Sequence, residues 1–189
     1  MDIFEAIHTR QSIGKVRPEP VPRELIERML SAAAQAPNHY KVRPWRFVVL
    51  TGAARERLGD AMVEALRKRK PNADEETLAK ERRKPLRSPV LIAVGVDKPS
   101  LDKVVDIENV CATAAAVQNL LLAAHALGLG AMWRTGNAAY DPDVKAFLGF
   151  APDQHVIGFV YVGHPESEPT PPNRPSHEDR TVWMGEDDQ

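Results

Sequence analysis

From Val110 to Leu127 only Thr113, Gln118, Asn119 and His125 are polar, and the rest of the run is small or branched apolar residues. Its Ala and Leu content predicts a helix, drawn here over Asp102–Leu127 and ended by Gly128 and Gly130. A helix without a polar face must be buried on every side. At 189 residues the chain has the length of one well-buried domain. One domain of that size cannot easily surround such a helix alone, so a partner subunit is expected to cover part of it. The single cysteine, Cys111, falls inside the run and is expected to be a buried packing residue.

The neighbouring elements follow from spacing. Asp2 with Glu5 forms a capping-box pair ahead of a short helix carrying Ile3, Phe4 and Ile7 on one face. A second helix starts at Pro22, has the stripe Leu25, Ile26, Met29, Leu30 and Ala33, and must end near Pro37. Arg46–Leu50 reads as a strand. Arg55–Lys70 is an amphipathic helix. Val90–Val96 is a continuously apolar strand of the kind found mid-sheet, and His155–Val162 is a further strand. Ala131–Thr135 reads as a short strand or turn, and Asp141-Pro142 opens a brief helix closed by Gly149. The charged stretch Arg67–Arg87 reads as a solvated helix or excursion. Residues 165–175 hold five prolines and almost no apolar side chains, so no packed element is expected there, while Trp183 suggests that the end docks again. The reading is one domain over residues 1–164 and a Pro-rich tail over 165–189, in an α+β or α/β layer with a modest sheet.

Several functions are set aside on composition and motif. A net charge of −1 supplies no general attraction to nucleic acid or membrane, and the basic run at residues 67–70 is followed by acids without interleaved aromatics. No leader or membrane-length apolar run is visible, and the lone cysteine suits a cytoplasmic setting. There is no GxxxxGK[ST], no HExxH or Cys/His spacing for a metal, and no GxSxG. Trp133 occupies the place where the glycines after Leu127 would need a third for a dinucleotide fingerprint.

Three polar segments remain. Thr9-Arg10-Gln11-Ser12 ends the first helix, where a guanidinium and a hydroxyl could clamp a phosphate or simply face water. Asn38 and His39 sit in a loop fixed by Pro37 and Pro44, which reads equally as a turn before a core Trp45. Trp133-Arg134-Thr135 follows the long helix, and alone it could be a surface Arg packed on Trp.

Taken in order, R-x-S, AP-x-H, PW-x-F, A-x-x-x-QN-x-x-L-A-A-x-x-LGLG and W-R-[ST] make the chain resemble the nitroreductase family, in particular its short-chain NAD(P)H nitroreductase members. The resemblance rests on Arg10/Ser12, Ala36–His39, Pro44–Phe47, Ala114–Gly130 and Trp133–Thr135, and runs to about Val162. It implies an α+β fold with a central mixed sheet flanked by helices, an intertwined homodimer, and FMN bound at the subunit interface by the domain of residues 1–164. Arg10, Gln11, Ser12, Gln35, His39, Trp133, Arg134 and Thr135 would hold FMN, with Arg10, Gln11 and Ser12 acting from one subunit and His39 and the Trp133–Thr135 segment reaching it from the other. Ala123, Ala124, His125, Ala126, Leu127 and Gly128 match the stretch that binds NAD(P) in those members. Gly14 stands where the family often has a basic residue, with Lys15 next to it, and Gln35 stands where an Arg can occur. The implied activity is electron transfer from NAD(P)H to nitroaromatic or quinone-type acceptors by a ping-pong sequence. FMN carries the chemistry, and no side chain is assigned as catalytic. A same-fold flavoprotein acting on a specific metabolite and a non-enzymatic flavin-binding module are the alternatives.

Overall fold

The computed structural model describes residues 1–170 and 172–185. The expectations for the tail that involve Pro171 and residues 186–189 lie outside the described residues. Seven helices and four strands alternate along them: α1 (Ile3–Thr9), α2 (Arg23–Ala33), β1 (Trp45–Thr51), α3 (Ala53–Arg69), α4 (Glu75–Arg83), β2 (Val90–Val96), α5 (Asp106–Ala126), β3 (Gly130–Arg134), α6 (Asn137–Tyr140), α7 (Pro142–Phe147) and β4 (His155–Gly163). One-turn 3-10 segments sit at His39–Lys41, Lys84–Arg87 and Glu178–Arg180.

The sheet runs β1-β2-β4-β3, and every neighbouring pair is antiparallel. The expected mixed sheet is therefore corrected for the described residues, and the connections explain why. Two helices, α3 and α4, return the chain to the end of the sheet it left, so β2 runs opposite to β1. The single helix α5 does make β2 and β3 parallel in direction, as one crossover must. β4 then inserts between them and pairs antiparallel with both.

β2 is buried along its whole length because helices cover both faces. On one face Val90, Ile92, Val94, Val160 and Val162 pack against Met29 of α2 and against Ala116, Val117 and Leu120 of α5. On the other, Leu91, Ala93, Phe159 and Tyr161 meet Leu58 and Met62 of α3 and Val144 of α7. The charged stretch is more ordered than a solvated excursion. Asp74 caps α4 by accepting from the Thr77 N–H at 2.7 Å, and buried Leu78 pins the helix to Val63 and Leu66 of α3.

α5 starts at Asp106, four residues later than its sequence suggests, where the Glu108 carboxylate accepts the Val105 N–H at 2.9 Å. Gly128, at φ +73°, ends it in the left-handed conformation that glycine adopts without steric cost. One side of α5 is buried through Asn109, Ala112, Ala116, Leu120 and Ala124. The other stays open: Ile107 and Cys111 are exposed. The expectation of a buried Cys111 is thus not met within one chain, because its face of α5 has no neighbour there. Ile3, Phe4 and Ile7 on α1 are likewise exposed. So are Val182, Trp183 and Met184, so Trp183 does not dock against its own described chain.

Candidate functional site

The chain leaving α1 runs along the free side of β3. The Ile13 N–H donates to the Ala131 carbonyl at 3.0 Å, and the Arg17 N–H donates to His164 at 2.8 Å. This extended segment carries Arg10 and Gln11 to the end of α5 and lays Gly14 against Met132 and Arg134. The first and third polar segments thus lie along neighbouring extended stretches, although Arg10 and Arg134 line separate cavities.

Arg10 and Gln11 line a cavity of about 230 Å³ with Ile13, Leu121, His125 and Gly128. Pro165 and Pro169 of the tail close its rim. The tail is strapped down here: Gln11 Nε2 donates to the Thr170 carbonyl, and the Arg174 guanidinium donates to the carbonyls of Arg10 and, at 3.3 Å, Ile7. Burial and the adjacent Arg174 charge both push the Arg10 pKa below its ordinary value. Neither arginine has a carboxylate partner among the described residues. Two guanidiniums held together without a counter-charge form an arrangement that an anion completes. Arg174 was not singled out in the sequence. The available signal was slight: it is the one cation between residues 165 and 176.

His125 faces the same cavity, its Nε2 2.7 Å from Thr9 Oγ1. Desolvation, then the Arg10 charge, lowers its pKa and favours the neutral ring. Of the helix-end residues matched to NAD(P), His125 and Gly128 line the cavity. Ala124 is buried in the core, Ala123 and Leu127 pack against it, and Ala126 is exposed.

Trp133 is anchored by its indole N–H, which donates to the Ile157 carbonyl at 3.0 Å. Arg134 turns to the opposite face of the strand, over the Tyr161 ring at 5.8 Å. There it lines a cavity of about 340 Å³ with Thr135, Lys84, Arg87 and Tyr161. Gly14 lies against Met132 and Arg134, and a Cβ there would stand 3.5 Å from Arg134 Nη2. The guanidinium thus occupies the space beside a position that lacks its own side chain. Ser12, Lys15 and Thr135 are exposed.

The third segment is elsewhere. His39 is exposed, with Nε2 3.5 Å from the Glu108 carboxylate at the start of α5. Gln35 is exposed and bonds back to its own helix at the Ser31 carbonyl. Glu108 and His125 are separated by seventeen residues of one helix, about 25 Å at 1.5 Å per residue. Within one chain, His39 and Arg10 do not share a site. No group of three or more His, Cys, Asp or Glu suited to a metal ion occurs among the described residues.

A profile described as the nitroreductase family matches residues 7–164. Two curated relatives bear the name "Putative NAD(P)H nitroreductase". YfhC of Bacillus subtilis is 30% identical over 95% of this chain and 93% of its own length. YdjA of Escherichia coli K12 is 30% identical over 88% and 90%. Among solved structures, a nitroreductase-like family protein from Bacillus cereus superposes with a TM-score of 0.84 at 25% identity, covering 98% and 97% of the two chains. A structure from Desulfovibrio desulfuricans, solved in complex with FMN, gives 0.74 at 26% identity, with 97% of each chain covered. The α+β fold, the ordered motifs and these likenesses agree: the chain belongs to the nitroreductase family.

Proposed function

We propose that this chain binds FMN and acts as an oxidoreductase, passing electrons from NAD(P)H to nitroaromatic or quinone-type acceptors as a homodimer with the flavin at the subunit interface. The observation that supports the reading is Arg10 in the wall of the cavity with the Arg174 guanidinium bound to its backbone beside it, neither having a carboxylate partner among the described residues. A flavin nucleotide brings a dianionic phosphate that fits such a pair. The relatives named for NAD(P)H and the similar structure holding FMN support the same assignment.

The residues divide the work by position. Arg10 and Arg174 hold the phosphate, with Gln11 and Ser12 supplying shorter donors. Trp133, fixed to the sheet, sets the strand that offers Arg134 and Thr135 to the polar edge of the ring system. The Arg134 guanidinium also favours negative charge on that edge. Gln35 and His39, too far from Arg10 in the same chain, serve the flavin of the second copy. NAD(P)H enters at the end of α5 spanning residues 123–128, where His125 and Gly128 meet the cavity. FMN held there would supply the hydride-transfer chemistry between the nicotinamide and an acceptor. Among the described residues no dinucleotide fingerprint supplies a separate nicotinamide site, so donor and acceptor would enter one shared pocket in turn, a ping-pong sequence.

The open apolar surfaces support the dimer: Ile3, Phe4 and Ile7 of α1, Ile107 of α5, and Val182–Met184. An exposed free cysteine on this surface suits a reducing cytoplasm. The test begins with the visible spectrum of the purified protein. A yellow protein that bleaches on anaerobic addition of NADH or NADPH supports the proposal. One that takes up no FMN overturns it, and one that stays yellow is a binding module instead.

A further inference from the structure

Between Pro37 and Pro44 residues other than glycine adopt positive φ, as they do nowhere else among the described residues. Tyr40, Lys41 and Arg43 have φ of 47°, 56° and 50°, and they are the non-glycine residues with positive φ. Each bears a Cβ that crowds a carbonyl in this region, a cost glycine avoids. The turn is held by the Asn38 side chain, whose Oδ1 accepts the Arg43 N–H at 2.8 Å, and by the Val42 N–H donating to His39 at 3.1 Å. Three glycines would make the same reversal without strain. Strain that persists at side chains points to a use for those side chains.

Tyr40 shows what the use is. Its side chain is 60% exposed and stands beside a cavity of about 580 Å³, walled by Pro37, His39, Ile107, Glu108 and Cys111. Lys103 Nζ lies 6.0 Å from the phenol centroid. The one acid in the wall, Glu108, is already engaged by the Val105 N–H at 2.9 Å and faces His39. Tyr40 thus presents an exposed aromatic ring with a cation over one face, at the edge of a space large enough for a substituted ring.

We propose that Tyr40 recognises the electron acceptor: a flat aromatic compound stacks on its phenol ring, and Lys103, on its long stem, pairs with a carboxylate or sulfonate that projects past the ring edge. The strained turn fixes the phenol in place. This rests on the flavin reading above, since Tyr40 travels with His39 to the flavin of the second copy.

The experiment compares 4-nitrobenzoate with the neutral 4-nitrobenzyl alcohol as acceptors for the FMN-loaded enzyme. Tyr40→Ala raises the acceptor KM about 3- to 10-fold with kcat unchanged, as loss of one aromatic stack predicts. Tyr40→Phe retains the low KM. Lys103→Gln abolishes the preference for the nitrobenzoate over the alcohol. Tyr40→Gly has the KM of the alanine variant but, freed of strain, melts about 2–4 °C above it. A yellow, active enzyme whose acceptor KM does not respond to the alanine and glycine changes overturns this proposal alone, since the turn is then merely structural. A protein that takes up no FMN overturns the flavin reading and this proposal with it.

Discussion

Arg174 offers the sharpest test of the proposed phosphate site, because its role can be separated from that of the flavin ring. Replacing it with Gln removes one cation and leaves a shorter, neutral donor. A hydrogen bond to a charged group contributes roughly 1.5–3 kcal/mol, and each 1.4 kcal/mol is tenfold in affinity. Arg174 is exposed, so the lower end applies: FMN affinity falls about tenfold. Arg10 is partly buried and desolvated, so Arg10→Gln falls near the upper end, about 100-fold. The two guanidiniums act on one dianion, and the double variant is expected to lose less than the sum. Titration of apo-protein with FMN, followed by flavin fluorescence, reads these losses, and riboflavin supplies the control because it lacks the phosphate. Both variants should bind riboflavin as the wild type does. Loss of FMN and riboflavin in equal measure would place the damage in the fold or at the ring. Unchanged FMN binding by Arg174→Gln would show that the tail arginine merely braces the carbonyls of Ile7 and Arg10.

Three further outcomes are expected. Phe4, 71% exposed, can be replaced by Asp at little cost to an isolated chain, so Phe4→Asp should leave folding intact but weaken the dimer and its flavin content. A tight, fully loaded dimer in sedimentation would remove α1 from the interface. Steady-state lines with NAD(P)H and a quinone should be parallel, and intersecting lines with a trapped ternary complex would show two simultaneous sites. His125 has a pKa lowered below 6.5 in the folded chain by burial and then by Arg10, so the unfolded chain takes up its proton first as the pH falls. Its contribution is therefore complete above 6.5 and is lost progressively below it, and His125→Gln should flatten the dependence of Tm on pH in that acid range. An identical slope in the variant would assign the acid sensitivity to other groups.

What was legible in the chain follows from the range over which each signal acts. β2 could be read because seven apolar residues in succession admit a strand covered on both faces, and α2 because its stripe repeats at helical spacing. Motif order named Arg10 and Trp133–Thr135 but set them on different subunits, whereas the sheet extension through Ile13 lays the segment after Arg10 along β3 of the same chain. Arg174 could not be placed, because it reaches Arg10 across more than 160 residues and sits in a segment without periodicity. Nor could the strain at Tyr40–Arg43, where the residues that advertise a left-handed turn are missing. The two burial expectations that failed carry a different lesson. Cys111 was expected inside and Trp183 was expected to dock, and both stand exposed on the described chain. The errors share a sign, since in each case the sequence called for more cover than one chain provides. Exposed Ile3, Phe4 and Ile7 add a third patch of the same kind. Apolar residues scattered singly need no explanation, but a grouped excess at a helix face, a helix end and a chain terminus does. A second copy would cover these patches and would also bring His39, held by Glu108 at one end of α5, to an Arg10 that its own chain holds near His125 at the other. The surplus of apolar sequence and the division of the candidate site are thus one requirement seen twice, and the proposed homodimer meets both.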